Sequence, residues 1–325
     1  MQTSPLLGLP TMADDLRRIE EALRSSVRTD DEYLTEIASH LILAGGKRLR
    51  PVLAVAAALT VADVVPDDVV RGGVSVELVH LGSLYHDDVM DEAETRRGIE
   101  SVNARWGNLR AILAGDFLLA RASEIAASLG TEVAGLLANT IGRLCHGQIG
   151  ELRTTFDATR TETAYLDSIS GKTASLFATA CRIGAIVGDL PRPAIDALTD
   201  YGHAYGMVFQ MADDILDLTA TEAQLGKPSG HDLVEGVYTL PVIHALSQGG
   251  PAADELRDLL GRPVQGAELD KALSIVRSNG AVRHAIGVAR GYAEQASDAA
   301  RSLGTGPTID ALVAAPHHLL DSLAC

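Results

Sequence analysis

The stretch Glu77–Gly98, ELVHLGSLYHDDVMDEAETRRG, decides the fold of this chain. Val76, Val79, Leu81, Leu84, Val89 and Met90 recur at three- and four-residue spacing, without proline and with Gly82 as the one interruption, which predicts a largely buried helix. Its C-terminal end is crowded with acids. Asp87 and Asp91 stand one turn apart on one face, about 6 Å from each other along the axis, and Asp88 is turned away by about 100°. Carboxylates this close repel one another unless a cation lies between them. Hard divalent ions such as Mg²⁺ take carboxylate oxygens, keep some water and complete their shell with phosphate. Arg96 and Arg97 follow at once and would suit the phosphate. Taken alone, an acidic helix end is usually a solvated surface.

A second copy changes the balance. Gln210–Thr219 reads QMADDILDLT, so Asp213, Asp214 and Asp217 repeat the spacing of Asp87, Asp88 and Asp91, again after a mostly apolar run, Tyr205–Met211. Two buried helices ending in the same triplet, facing each other across a cavity, would hold a small cluster of Mg²⁺ ions and bind a diphosphate.

Working outward, the chain has 325 residues and no Pro/Gly/Ser-rich linker, which predicts residues 1–12 as a loose tail and 13–325 as a single all-helical domain. Hydrophobic residues make up 46% but aromatics only 4%, so the core must be built from Ala, Leu, Val and Ile, as suits close-packed helices. A net charge of −16 excludes the basic footprint of a nucleic-acid or anionic-membrane binder, and an acidic protein with an acidic substrate needs metal ions. Cys145, Cys181 and Cys325 have no metal-ligand spacing and fit reduced thiols of a cytoplasmic protein. The opening MQTSPLLGLPTM lacks the pattern of a signal peptide. Val52–Val65 is broken by Thr60 and Asp63 before the ~18 residues of a membrane span, so it reads as a core helix.

Helical periodicity covers Ala13–Arg24, Asp31–Ala44, part of Asn103–Arg121, and Thr131–Glu151. Between the second of these and Pro51, Gly45-Gly46-Lys47-Arg48-Leu49-Arg50 displays three basic residues where one helix stops and another starts, an anion cradle or a solvated basic loop. Gln148 and Glu151 read as capped or exposed rather than as cavity residues. Gly171 in Ser170-Gly171-Lys172-Thr173-Ala174 can kink its helix and turn Lys172 and Thr173 inward, with a solvated lysine as the default alternative. Leu225–Pro241, with Gly226, Pro228, Gly230 and Gly236, reads as a loop of the kind that covers a site, Lys227 and Asp232 being its functional candidates.

GGKRLRP, LVHLGSLYHDDVMDEAETRRG, GKTASL, FQMADDILD and GKPSGHDLVEGVYTLP, in this order, resemble the trans-isoprenyl diphosphate synthases, or polyprenyl synthetases. The resemblance implies an isoprenoid-synthase-like bundle of antiparallel helices around a deep central cavity, and a homodimer. It implies Mg²⁺, as a cluster of three ions, on Asp87, Asp91 and Asp213, with Asp88, Asp214 and Asp217 in or just behind the shell. Arg96, Lys172 and Lys227 would assist at the diphosphate of the allylic substrate, and Lys47, Arg50, His80 and Arg97 would bind isopentenyl diphosphate. Thr173 and Gln210 would line the allylic cation. His80, on an apolar helix face, reads as a packed core residue without the resemblance. The chain departs from the pattern at Val237, where the family often carries lysine.

The resemblance also bears on product size. Gly82 and Ser83, one turn before Asp87, would form the first wall of a tunnel for the growing tail, and both are small where short-chain members carry aromatics. The expected product therefore has at least twenty carbons, with thirty to fifty favoured, as for a quinone side chain. The tunnel floor would come from the helix Thr131–Gln148. A geranylgeranyl diphosphate synthase and a non-catalytic subunit of a heteromeric synthase are the alternatives; the intact triplets speak against the second. A terpene cyclase is excluded because Asp217 and Thr221 are followed by Leu225, which breaks that class's second metal motif.

Overall fold

In the computed structural model of the chain, residues 4–220, 229–321 and 323 are described. The apolar periodicities become helices in nearly every predicted place. α1 spans Met12–Ser26 and α2 spans Glu32–Leu43, capped by Asp31, whose carboxylate accepts from Tyr33 N–H at 2.9 Å and Leu34 N–H at 3.1 Å. α3 (Leu49–Ala58) starts after Arg48, held in the left-handed region, with Pro51 in its first turn. α4 (Asp67–Met90) carries buried residues on every face, as a helix does when it is surrounded by protein.

A two-stranded hairpin, β1 (Thr95–Arg96) and β2 (Ile99–Glu100), follows; its turn residues Arg97 and Gly98 both have positive φ, the geometry that suits a two-residue hairpin. After it come α5 (Val102–Trp106), α6 (Asn108–Ser128), α7 (Thr131–Leu152) and α8 (Glu162–Ile169). α8 runs through a wide π turn, Ser170–Ala174, into α9 (Ser175–Val187). α10 (Arg192–Thr219) is the second long buried helix. The remaining described helices are α11 (His231–Glu235), α12 (Leu240–Ser247), α13 (Gly250–Leu259), α14 (Ala267–Ser278), α15 (Ala281–Arg301) and α16 (Pro307–Asp321).

α4 packs against α3, α6 and α9, and α10 against α9 and α15, so the two aspartate-bearing helices are held through a shared neighbour, α9. Alanines fill the crossings: Ala285, Ala289, Ala293, Ala296 and Ala300 are all buried along one stripe of α15. No described helix is long and apolar enough to cross a membrane.

The expected loose tail is corrected over its described part. Pro5–Gly8 forms a short 3-10 turn, Leu6 and Met12 are fully buried, and the turn docks on α16, α3 and α1. Three apolar side chains, Leu6, Leu9 and Met12, suffice to anchor a segment that carries no helical pattern of its own.

Candidate active site

Asp87 and Asp88 occupy the last turn of α4 and Asp91 caps it, its N–H donating to Asp87 O at 2.8 Å. Burial pushes the Asp87 carboxyl up to about 6, opposed by Lys172 and reinforced by Asp91; burial and then Glu235 raise Asp91. Asp88 points inward as its angle on the helix requires. It is fully buried and accepts from Arg96 Nε at 2.6 Å, which leaves its Oδ2 enclosed without a hydrogen-bond partner.

On α10, Asp213 is exposed while Asp214 and Asp217 are buried. Asp214 accepts from the Tyr165 hydroxyl at 2.6 Å and from Gln210 Nε2 at 2.8 Å, and its burial pushes it up to about 7. Asp217 Oδ2 accepts from the backbone N–H of Asp232 at 3.2 Å.

The glycine-bearing interruption is the π turn, a wide turn that often marks functional sites. Lys172 Nζ donates to Glu151 at 2.6 Å, and Thr173 Oγ1 donates to Gln210 Oε1 at 2.7 Å. A cavity of about 450 Å³ brings these pieces together: Asp91 from the first triplet, Asp214 from the second, Lys172, Gln210 and Val237 all line it. Gln148 and Glu151 line it too, which corrects the expectation that they are capped or exposed; they stand three residues apart on one face of α7, a signal the sequence did carry.

A second basic group forms apart from this cavity's lining. The guanidinium of Arg50 lies 4.4 Å above the Phe177 ring and is pushed down to about 10 by burial. Burial, then the neighbouring Arg50 and Arg97, hold His80 well below its ordinary value, so it is a neutral imidazole among cations. Arg97 Nη1 donates to Leu41 O at 3.1 Å and to Gly45 O. Lys47 is exposed at the edge. Arg48 is not displayed with the other two as the loop reading expected: it is buried in ion pairs with Glu20 at 2.6 Å and Glu77 at 3.1 Å, and so builds the loop.

Two further expectations are modified. The segment that was to cover the site contains α11, and Lys227, with Leu225, Gly226 and Pro228, lies outside the described residues, as do Thr221 and Cys325. Gly82 faces α6 at close range: a Cβ there would stand 3.0 Å from Gly115 O and 3.3 Å from Leu119. Its smallness therefore serves helix packing. Ser83 is half-buried, its hydroxyl donating to His80 O at 2.8 Å. Residues that carried no signal in the sequence, Arg160 and Tyr165, complete the cavity wall.

Among the described residues, no three His, Cys, Asp or Glu side chains converge on a single point. The two acid groups instead flank a void. Hard carboxylate oxygens, several driven toward protonation by burial, fit divalent cations that take one or two protein ligands each and share the rest with phosphate.

The polyprenyl synthetase family model matches residues 31–276. The chain is 40% identical over 280 residues to the nonaprenyl diphosphate synthase of Mycobacterium tuberculosis, covering 86% of this chain and 84% of that one. Among solved structures it is similar to a decaprenyl diphosphate synthase from Rhodobacter capsulatus, with a TM-score of 0.90 at 32% identity and 98% of each chain covered. It is equally similar to a polyprenyl synthase from Caulobacter crescentus complexed with calcium and isoprenyl diphosphate, with a TM-score of 0.90, 32% identity, and 98% and 99% covered.

Proposed function

Since this chain belongs to the polyprenyl synthetase family, we propose that it extends an allylic diphosphate with isopentenyl diphosphate units to roughly thirty to fifty carbons, using Mg²⁺ and working as a cytoplasmic homodimer. It is a trans-prenyltransferase with the all-helical isoprenoid synthase fold. The observation that carries the proposal is the meeting of Asp91, Lys172 and Asp214 on one cavity.

Asp87, Asp91 and Asp213 would hold the metal ions, a cluster of three, with Asp88 and Asp217 supporting them. Bound there, Mg²⁺ supplies Lewis-acid stabilisation of the departing diphosphate. Arg96 and Lys172 add positive charge on the same side, and Lys227 is assigned there by the family resemblance. Gln210 and Thr173 are locked to each other, so their dipoles are oriented before substrate arrives and lower the energy of the allylic cation without reorganising. Lys47, Arg50, His80 and Arg97 would hold isopentenyl diphosphate from the separate basic group. Its C3–C4 double bond would attack C1 of the cation, and transfer of a proton from the new cation to the released diphosphate would leave a chain five carbons longer.

The test is turnover of labelled isopentenyl diphosphate with geranyl, farnesyl or geranylgeranyl diphosphate as primer, followed by chromatography of the dephosphorylated products. Products of about thirty carbons or more are expected. A stop at twenty overturns the chain length, and no elongation from any primer overturns the function. In the same assay Ser83→Phe should shorten the product by at least about one five-carbon unit, because a ring one turn before Asp87 intrudes on the path of the tail. The homodimer rests on Leu109, Ile112 and Leu113, exposed to 75%, 40% and 62% on one face of α6. Sedimentation should give twice the chain mass; a monomer at micromolar concentration would refute it.

A further inference from the structure

We propose that Arg160 is a further diphosphate-binding residue, its guanidinium taking the leaving group of the allylic substrate at the wall where Val237 offers no charge. The inference rests on the prenyltransferase reading of the cavity.

Arg160 lines that cavity and is 5% exposed. A guanidinium has five N–H donors in a rigid fork. Here Nη1 donates to Tyr238 O at 3.0 Å, while Nε and Nη2 are enclosed without any hydrogen-bond partner. Its Cζ lies 5.6 Å from the centre of the Tyr165 ring, and Tyr165 in turn bonds Asp214. The other described cations near the acids are already occupied. Lys172 is paired with Glu151 at 2.6 Å and Arg96 with Asp88 at 2.5 Å, whereas no described carboxylate stands within ion-pair distance of Arg160. Burying a guanidinium with donors unused is costly unless a partner arrives, and the planar fork matches two oxygens of a phosphate.

The surrounding backbone fixes where the fork sits. Phe156 N–H donates to Gly236 O at 2.8 Å and Arg160 Nη1 to Tyr238 O at 3.0 Å, so the loop bearing Arg160 and the segment bearing Val237 are stitched together, while Val237 N–H, donating to Asp232 O at 2.8 Å, folds that segment back on α11. Thr239 Oγ1 and Gln148 Oε1, in the same wall, are likewise enclosed without partners. The wall thus holds more polar atoms than it satisfies internally, as expected where a polar ligand completes it. Since Arg50, His80 and Arg97 form their own group, Arg160 belongs with the allylic diphosphate and not with isopentenyl diphosphate.

Steady-state kinetics of the full chain separate the possibilities. Arg160→Gln should raise KM for the allylic diphosphate about tenfold or more while KM for isopentenyl diphosphate stays within about twofold. The double variant Arg160→Gln/Val237→Lys should recover most of that loss, because an ammonium is restored to the same wall. A lowered melting temperature with both KM values unchanged, or both raised without rescue, would overturn the proposal in favour of a structural arginine. If Arg160→Gln does not fold, Arg160→Lys, which keeps the charge but loses the fork, should raise the allylic KM about threefold; an unchanged value overturns the proposal. Wild-type protein without turnover would overturn the prenyltransferase reading itself, whereas normal wild-type turnover with an unmoved allylic KM in these variants overturns this inference alone.

Discussion

Asp87→Ala should lower turnover by about a thousandfold or more, equivalent to about 4 kcal/mol of transition-state stabilisation, and yet leave the metal-free protein at least as stable as the wild type. The two halves of this expectation have one cause. Asp87 is placed where burial and Asp91 disfavour its charge, so its carboxyl titrates at about 6 in the folded chain. A carboxyl whose folded pKa lies above its unfolded value binds its proton more tightly when folded. Its contribution to stability is therefore greatest below the unfolded pKa of about 4 and is lost as pH rises through about 6. At neutral pH, alanine removes a local strain together with the proposed metal ligand. Asp213→Ala should lose activity to a similar degree, with little effect on melting because Asp213 is exposed. Initial rates under saturating Mg²⁺ and both substrates, paired with thermal melts in chelator, provide the check. Rates within about tenfold of wild type in either variant would sink the metal assignment.

Gly147→Ala should damage both stability and catalysis, although residue 147 carries no functional group. A Cβ at Gly147 would stand 2.3 Å from Lys172 N, 2.7 Å from Ser168 O and 2.9 Å from Gly171 C. All three are backbone atoms of the π turn or the helix leading into it, so no side-chain rotation can relieve the overlap. The reverse contact is close as well: a Cβ at Gly171 would lie 2.9 Å from Arg143 O and 3.1 Å from Gly147 Cα. α7 must therefore move away from the turn that presents Lys172 and Thr173. Overpacking of this kind costs about 1–3 kcal/mol, and a displacement of about 1 Å at positioning groups lowers turnover about a hundredfold. Gly142→Ala is the matched control on the same helix, since nothing lies within 4 Å of its Cβ; it should be neutral or mildly stabilising. Wild-type kinetics in Gly147→Ala would show that the crossing does not control the site.

The acid residues of the proposed chemistry were visible in the chain because their signal is local. DDxxD at Asp87 and again at Asp213 places acids at helical spacing, and helical geometry alone makes Asp87 and Asp91 neighbours while turning Asp88 inward. The kink at Gly171 was equally local, since a glycine inside a helical pattern weakens it where it stands. Other parts were legible only in part. Glu151 lies one turn beyond Gln148, yet nothing in α7 says which face meets the cavity until Lys172 arrives from another element to pair with it. The sequence shows Arg48 in a row of three basic residues, but Glu20 and Glu77, distant along the chain, draw it into the interior and leave Lys47 outside.

By itself, then, the sequence determined the helical class, the two acid triplets and the basic loop, all set by spacing within a turn or two of one chain segment. Tertiary structure alone decided that the tail docks through Leu6 and Met12, that Gly82 serves the α4–α6 crossing, and that Arg160 reaches the cavity with donors unused. The physical reason is range: periodicity and capping act between neighbours in sequence, whereas burial and side-chain pairing depend on which surfaces the fold presses together.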